Sequence, residues 1–408
     1  MRNKFFFYLV GCLLVCVGCQ ARNNQRPDST EEQAVSLPIQ TSVVTGDAQT
    51  ESYYPLLQGK RIAVYGNHTA LMPDGEHLVD RLVKDKMNVT AVFSPEHGFR
   101  GTADAGEHVS NEVDEKTGIP ILSLYDGGNN RPSAASMGKF DVLLVDIQDV
   151  GLRYYTYYIT MCRLMQACAE ADKEVIVLDR PNPNGHLVDG PILDMKYKSG
   201  VGWLPIPILH GMTLGELAQM AVGKGWLGTK KTCKLQVIPC QNYTHQTHWS
   251  IQVPPSPNLP NMQAIYLYPS LCFFEATPVS VGRGTNFPFQ VYGHPSMKNR
   301  SFSFTPESRP GAKNPPLKGK LCQGVDLSNL KEEELVNKGI DLTYLIDAYN
   351  DLQQGDKFFT SFFEKLVGVD WVMPMIEQGK SAEEIKARWQ KDVEQFKIER
   401  KPYLIYPE

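Results

Sequence analysis

Asp141-Val142-Leu143-Leu144-Val145-Asp146-Ile147 is the stretch that most restricts what this chain can become. Its apolar core is too short for a helix and lacks the polar alternation of a half-exposed strand, so it predicts a strand buried on both faces. Strands of that kind belong to parallel sheets with helices packed on each side. Related runs stand at 59–67, 88–93, 120–125 and 174–179, each closed by a turn residue or proline. Between them lie helical patterns, one over 77–86 and one carrying Tyr158, Cys162, Met165 and Ala169 at helical spacing. This order predicts an α/β fold: a Rossmann-like, mostly parallel sheet domain, followed by a smaller α+β domain.

In such sheets chemistry gathers beyond the carboxyl ends of the strands. Asn67, Glu96, Asp146, Asp149, Arg180 and Asn182 all fall at such ends and are expected to converge on one rim. The sharpest signal among them is Ser94-Pro95-Glu96-His97-Gly98-Phe99-Arg100-Gly101. Pro95 stops a strand and the glycines permit a sharp bend, which leaves Glu96 in a constrained loop beside His97. A carboxyl group held in this way can be tuned as a proton donor or base. A turn in which Glu96 caps a helix reads equally well from this stretch alone. The chain has no GxGxxG after its first strand and no GxxxxGK[ST], so no nucleotide cofactor is expected. Its histidines and cysteines show no metal-ligand spacing.

Further on, Thr213 and Glu216 form a capping box, and His210 just before them reads as either a packing or a site histidine. The proline-rich stretch Val253-Pro254-Pro255-Ser256-Pro257-Asn258-Leu259-Pro260-Asn261 marks a domain boundary whose asparagines also suit a ligand-facing loop. Glycines flank Arg283, which lets its guanidinium approach an anion, although a solvated turn reads as well. Residues 330–351 predict one helix, and Ser381 opens a last one with Trp389 and Phe396 as core contacts.

The first residues predict a destination. Arg2 and Lys4 precede an apolar run from Phe5 to Val17 that suits a signal segment, and it ends in Cys16-Val17-Gly18-Cys19. This resembles a bacterial lipoprotein signal with Cys19 acylated; a cleaved secretory signal without lipid is the alternative. The expected organisation is a signal over 1–19, a disordered tether over 20–52, a Rossmann-like domain over 53–255 and an α+β domain over 256–408. The chain is thus expected to be exported and membrane-anchored. A net charge of -4 gives no reason to expect nucleic acid. In an exported protein a Cys233 to Cys240 disulfide is possible, but spacing does not establish it.

The motifs SPEHGFRG, DAGEHV, DEKTGIPILSLYD, DVLLVDIQDVGLRYYTY, LDRPNPNG, GPILD, PIPILHGMTLGELA, PPSPNLPN and GRGTNFPF follow one another as in a known family. The chain resembles the NamZ-type exo-β-N-acetylmuramidases. The resemblance implies a cleft between two domains, and removal of a non-reducing terminal N-acetylmuramic acid from peptidoglycan fragments, with the catalytic glutamate at Glu96. His97 would orient it. Glu107, Asp146, Asp149, Glu275 or the sugar's own acetamido oxygen would act at the anomeric carbon. Muramic acid carries a lactyl carboxylate, so a cation is expected among Arg153, Arg180 and Arg283. Tyr154, Tyr155 and Tyr157 suit sugar stacking or the core. Asn67, Asn182, His210 and Asn258 complete the expected ligand-facing set. A non-catalytic lipoprotein that binds wall fragments, or a hydrolase of another acylated amino sugar, are the rival readings.

Overall fold

Seven strands make the main sheet of the structure, a computed structural model that describes residues 42–95, 98–100, 112–124 and 131–408. They are β1 (Ile62–Gly66), β2 (Val89–Phe93), β3 (Glu112–Val113), β4 (Pro120–Leu122), β5 (Val142–Asp146), β6 (Glu174–Leu178) and β7 (Lys234–Ile238). Their spatial order is β3-β4-β2-β1-β5-β6-β7, and all neighbours run parallel except β3, which is antiparallel to β4. The chain builds outward from β1 through β2 to β4, returns to lay β5 on the other side of β1, and then continues to β6 and β7. This reversal opens a crevice beyond the carboxyl ends of β1 and β5.

Side-chain alternation divides the core. Ala63, Tyr65, Leu143, Val145, Val175 and Val177 pack with the helices Tyr157–Glu170 and Leu214–Gly223, whereas Ile62, Val64, Val142, Leu144 and Ile176 pack with Thr50–Leu57 and Leu78–Lys84. All five residues of β5 are buried, as a strand covered on both faces requires. The helix Leu214–Gly223 starts at the expected capping box, where Thr213 Oγ1 accepts from the Glu216 amide.

The later part of the chain holds a small antiparallel sheet of β8 (Val291–His294), β9 (Phe302–Phe304) and β10 (Cys322–Asp326) in the order β8-β10-β9, set among helices. Its helix Met262–Leu271 is capped by the Asn261 side chain and shares one hydrophobic core with β1, β5 and β6. Apolar packing therefore continues without a break across the boundary expected at 255. The last helix, Ala382–Arg400, buries Trp389 and Phe396 as anticipated. Beyond it the chain returns to the first sheet, where the Tyr406 hydroxyl donates to Asp179 at 2.6 Å and the amides of Ile405 and Tyr406 donate to Glu216.

Two expectations need correction, two strands were not anticipated, and the open question of the cysteines is answered. The tether does not reach residue 52: Val44 pairs with Gln241, Asp47 is fully buried, and a helix begins at Thr50. Both β3 and β7 went unseen, the first because it is two residues long and the second because its edge position leaves only Ile238 buried. The helix expected over 330–351 is two, Glu332–Leu335 and Thr343–Leu352, separated where Gly339 takes a φ of +65°. Cys233 and Cys240 are free thiols, each buried. The signal segment and Cys19 lie outside the described residues. No helix among the described residues is long and apolar enough to cross a membrane.

Candidate active site

The crevice at the carboxyl ends of β1 and β5 is built from buried hydrogen-bonded loops. Asn67, the first residue past β1, is fully buried: its Nδ2 donates to the Tyr157 hydroxyl at 3.1 Å, and its Oδ1 accepts from the Thr69 amide and hydroxyl at 3.0 and 2.7 Å. Thr69 Oγ1 in turn accepts from the Gln148 amide at 3.0 Å, which ties the loop after β1 to the loop after β5. These bonds satisfy the Asn67 side chain within the protein. It shapes the rim instead of facing a ligand.

β2 runs beside β1, with Phe93 paired to Tyr65, so the chain leaves β2 through Ser94 and Pro95 at the level of Gly66 and Asn67. Glu96 and His97 follow in sequence and lie outside the described residues, as does Glu107. On their far side Gly98 takes a φ of +75° and Arg100 is clamped to Asp114 by two bonds of 2.9 and 2.7 Å, with Asp80 at 3.0 Å.

Acidic groups at the rim are withdrawn from solvent. Asp146, at the end of β5, is fully buried and accepts from Arg180 at 2.5 and 3.0 Å, while Asp47 lies 3.2 Å from the same guanidinium. Burial pushes the Asp146 carboxyl up to about 6 against the pull of Arg180. Asp149 Oδ1 accepts from the Gly151 amide at 2.7 Å, but its Oδ2 is buried without a partner. Burial pushes this carboxyl up to about 7. The void beside it, lined by Asn182, Met212 and Thr213, measures only about 10 Å³. That is room for about one water and not for a sugar ring.

Several expected ligand-facing residues are structural ties. Arg153 is fully buried and donates to the carbonyls of Pro191, Ile206, Leu366 and Val367 at 2.6 to 3.0 Å, so it cannot meet a substrate carboxylate. Tyr154 donates to Pro269, and Tyr155 and Tyr157 both donate to the Pro255 carbonyl at 2.9 Å. These hydroxyls hold the proline-rich strap against the rim, helped by His68, whose Nε2 lies 2.8 Å from the Pro254 carbonyl. Asn182 bonds the Met212 carbonyl and the Asn184 amide, and Asn258 donates to the Gly311 carbonyl at 2.9 Å. His210 is buried with Nε2 unpartnered, and burial lowers its pKa to about 3, which keeps it neutral. Glu275, in the turn before the GRGTNFPF loop, and Arg283, within that loop, pair with each other at 2.7 Å.

A cavity of about 430 Å³ opens beside the crevice, walled by Thr69, Leu71, Met72, Gln148, Arg180 and Trp249 among others. Sequence reading missed Gln148 and Trp249. Gln148 was legible as the second residue past β5; Trp249 lies in a polar stretch with no period to mark it. Among the described residues no three His, Cys, Asp or Glu side chains gather as a metal site.

Comparison with known proteins places this architecture. The family model described as exo-beta-N-acetylmuramidase NamZ, N-terminal, matches residues 62–263, and its C-terminal counterpart matches 266–406. A protein of Bacillus subtilis (strain 168), peptidoglycan beta-N-acetylmuramidase NamZ, is 36% identical over 427 residues, covering 100% of both chains. A crystal structure of a DUF1343 family protein from Bacteroides fragilis NCTC 9343 is 63% identical with a TM-score of 0.84, and covers 90% of this chain and all of its own. A second DUF1343 protein from that organism is 28% identical with a TM-score of 0.75, covering 89% of this chain and 99% of its own.

Proposed function

We infer that this chain, which belongs to the exo-beta-N-acetylmuramidase NamZ family, is a glycoside hydrolase that releases N-acetylmuramic acid from the non-reducing ends of peptidoglycan fragments. The observation that carries this reading is the match of both family models in order, together with a relative of that activity similar along the entire chain.

Within that activity, Glu96 is the general acid that protonates the leaving oxygen as the glycosidic bond breaks. Support comes from its setting: it follows Pro95 at the carboxyl end of β2, one strand from the reversal between β1 and β5. Of the carboxylates weighed for the second role, Asp146 is buried under Arg180, Asp149 has only about 10 Å³ of space beside it, and Glu275 is paired with Arg283. Glu107 and the acetamido oxygen of the sugar remain for that step. The test is hydrolysis of a chromogenic N-acetylmuramic acid glycoside and its N-acetylglucosamine counterpart by the wild type and by Glu96→Gln. Release from the muramic substrate alone, reduced by about 10²- to 10⁴-fold in the variant, is expected, since that is roughly what general acid catalysis contributes. Turnover by a pure Glu96→Gln protein within about tenfold of the wild-type rate removes Glu96 from the role, and binding without release in the wild type supports a non-catalytic wall-fragment protein.

The protein acts at the membrane surface through a lipid on Cys19. The charged start, apolar run and Gly18-Cys19 junction support this. Cys19→Ser is expected to move the protein from the membrane fraction to the soluble one; an unchanged distribution removes the anchor.

A further inference from the structure

The cavity of about 430 Å³ joins the crevice through a shared wall. Thr69 lines it and bonds Asn67 at the end of β1, and Gln148, whose amide donates to Thr69, lines it from the loop after β5. Leu71, Met72, Trp249, Ile251 and Val253 give it an apolar side. Small-ligand pockets run from roughly 300 to 1,000 Å³, so this one has room for a sugar unit and not for a length of polymer.

Two polar atoms of the wall have no partner among the described residues. Gln148 Nε2 donates to the carbonyls of Asp149 and Pro181 at 2.8 and 2.9 Å, which fixes the orientation of the side-chain amide and leaves Oε1 free. Arg180 uses Nε on Asp146 and Nη2 on Asp146, Asp47 and the Leu71 carbonyl, which leaves Nη1 free. Neither free atom is among those sealed from solvent. Pro181 follows Arg180, so the spare acceptor and the spare donor belong to neighbouring parts of the wall. Together they match the N–H and C=O of an amide.

Charge narrows the ligand further. The guanidinium faces two carboxylates, Asp146 and Asp47, both without exposure, so the cluster has no net positive charge to offer an anion. A lactyl or stem-peptide carboxylate is therefore disfavoured here, and an uncharged amide is favoured. The apolar side with its indole suits the C–H face of a pyranose ring. We propose that this cavity is a subsite for N-acetylglucosamine, with Gln148 accepting from the acetamido N–H, Arg180 donating to its carbonyl and Trp249 lying against the ring. In naming this wall sugar as the ligand, the assignment rests on the muramidase reading above. It requires nothing of the loop that carries Glu96.

The test is calorimetric titration of the wild type with methyl β-N-acetylglucosaminide and with methyl β-glucoside, which lacks the acetamido group. The glucoside is expected to bind at least about tenfold more weakly, since each lost hydrogen bond is worth roughly fivefold. Trp249→Ala should weaken binding of the N-acetylglucosaminide about tenfold, and Trp249→Phe, which keeps an aromatic ring, should recover most of the loss. Trp249 is partly exposed, so both variants are expected to melt close to the wild type, and the comparison of the two glycosides needs no variant at all. Kinetics then identifies the source of the sugar. If it is the residue next to the cleaved bond, Trp249→Ala raises KM about tenfold for the disaccharide of N-acetylmuramic acid and N-acetylglucosamine, and leaves the chromogenic N-acetylmuramic acid glycoside within about twofold. If it is a more distant N-acetylglucosamine of the wall, the titration changes and neither KM does. Equal affinity for the two glycosides, no binding of either, or an affinity that Trp249→Ala leaves unchanged overturns the proposal. A wild type that cleaves neither muramic substrate refutes the muramidase reading, while the titration still reports on the cavity.

Discussion

Arg153 and Asp149 lie four positions apart after the same strand, and both read as site residues in the sequence. Arg153 proves to be a knot between distant segments, since two of its acceptors, Leu366 and Val367, come from the later part of the chain. Asp149 is a half-satisfied carboxyl beside a void of about 10 Å³. Its proton affinity rises from an ordinary 3.8 to about 7, so across that pH window the folded state binds the extra proton and stability falls as pH rises. Full ionisation withholds at most on the order of 4 kcal/mol at ~1.4 kcal/mol per tenfold change in proton affinity. Asp149→Asn keeps an oxygen for the Gly151 amide and removes the charge. Its melting temperature is expected to exceed that of the wild type by several degrees at pH 8, with the gap closing towards pH 4.5. Asp146 and Asp179 also titrate near 6 and stay in both proteins, so the difference between the two curves isolates Asp149. A constant gap across pH would show that the carboxyl is not strained by burial. The sequence could nominate Asp149 but not foresee this, because desolvation depends on which loops close over a group.

Elements were legible wherever periodicity was complete. β1, β2, β5 and β6, the helix from Tyr157 and both capping boxes stand close to where apolar spacing and cap chemistry put them, because burial on two faces or along one stripe leaves a written trace. β7 left none, since an edge strand is half exposed. The segment before residue 53 misled for another reason: its attachment is made by backbone and by a missing side chain. Gly46 passes so close to β6 and β7 that a Cβ would lie 2.5 Å from the Asp179 amide nitrogen and 2.6 Å from the Ile238 carbonyl oxygen. No polarity pattern reports a contact of that kind. Gly46→Ala is therefore expected to push this segment off the sheet at a cost of about 1 to 3 kcal/mol, the usual range for overpacking. Limited proteolysis should then cut within residues 42–52 at a rate well above that of the wild type. Equal resistance of the two proteins would mean that the segment tolerates the shift and is held by its other bonds.

At the scale of the molecule, two family models meet near residue 265, yet the physics does not divide there. The helix Met262–Leu271 packs its Ile265 and Leu267 into the cluster that also holds Tyr65 and Val145, Arg153 reaches Leu366 and Val367, and the C-terminal Tyr406 anchors on Asp179. Cutting the chain at 255 would expose that apolar face, leave a buried guanidinium short of two acceptors and release the tail from Glu216. Such losses amount to several kcal/mol, comparable with the whole stability of an ordinary domain. The described residues 42–408 should consequently unfold as one cooperative unit, with tryptophan fluorescence and far-ultraviolet dichroism giving coincident transitions in urea. A piece spanning 42–255 should fail to reach a native fold alone. Two separated transitions, or a stable isolated piece, would show that the shared core is dispensable. Cooperativity also fixes distances. The rim beyond β1 and the turn between Arg309 and Ala312 come from distant parts of the chain, so a constant spacing between them requires that they be held as one body. The Pro254 to Asn258 strap, bonded to the first part through Tyr155 and Tyr157 and to the second through Gly311, provides that fixed spacing.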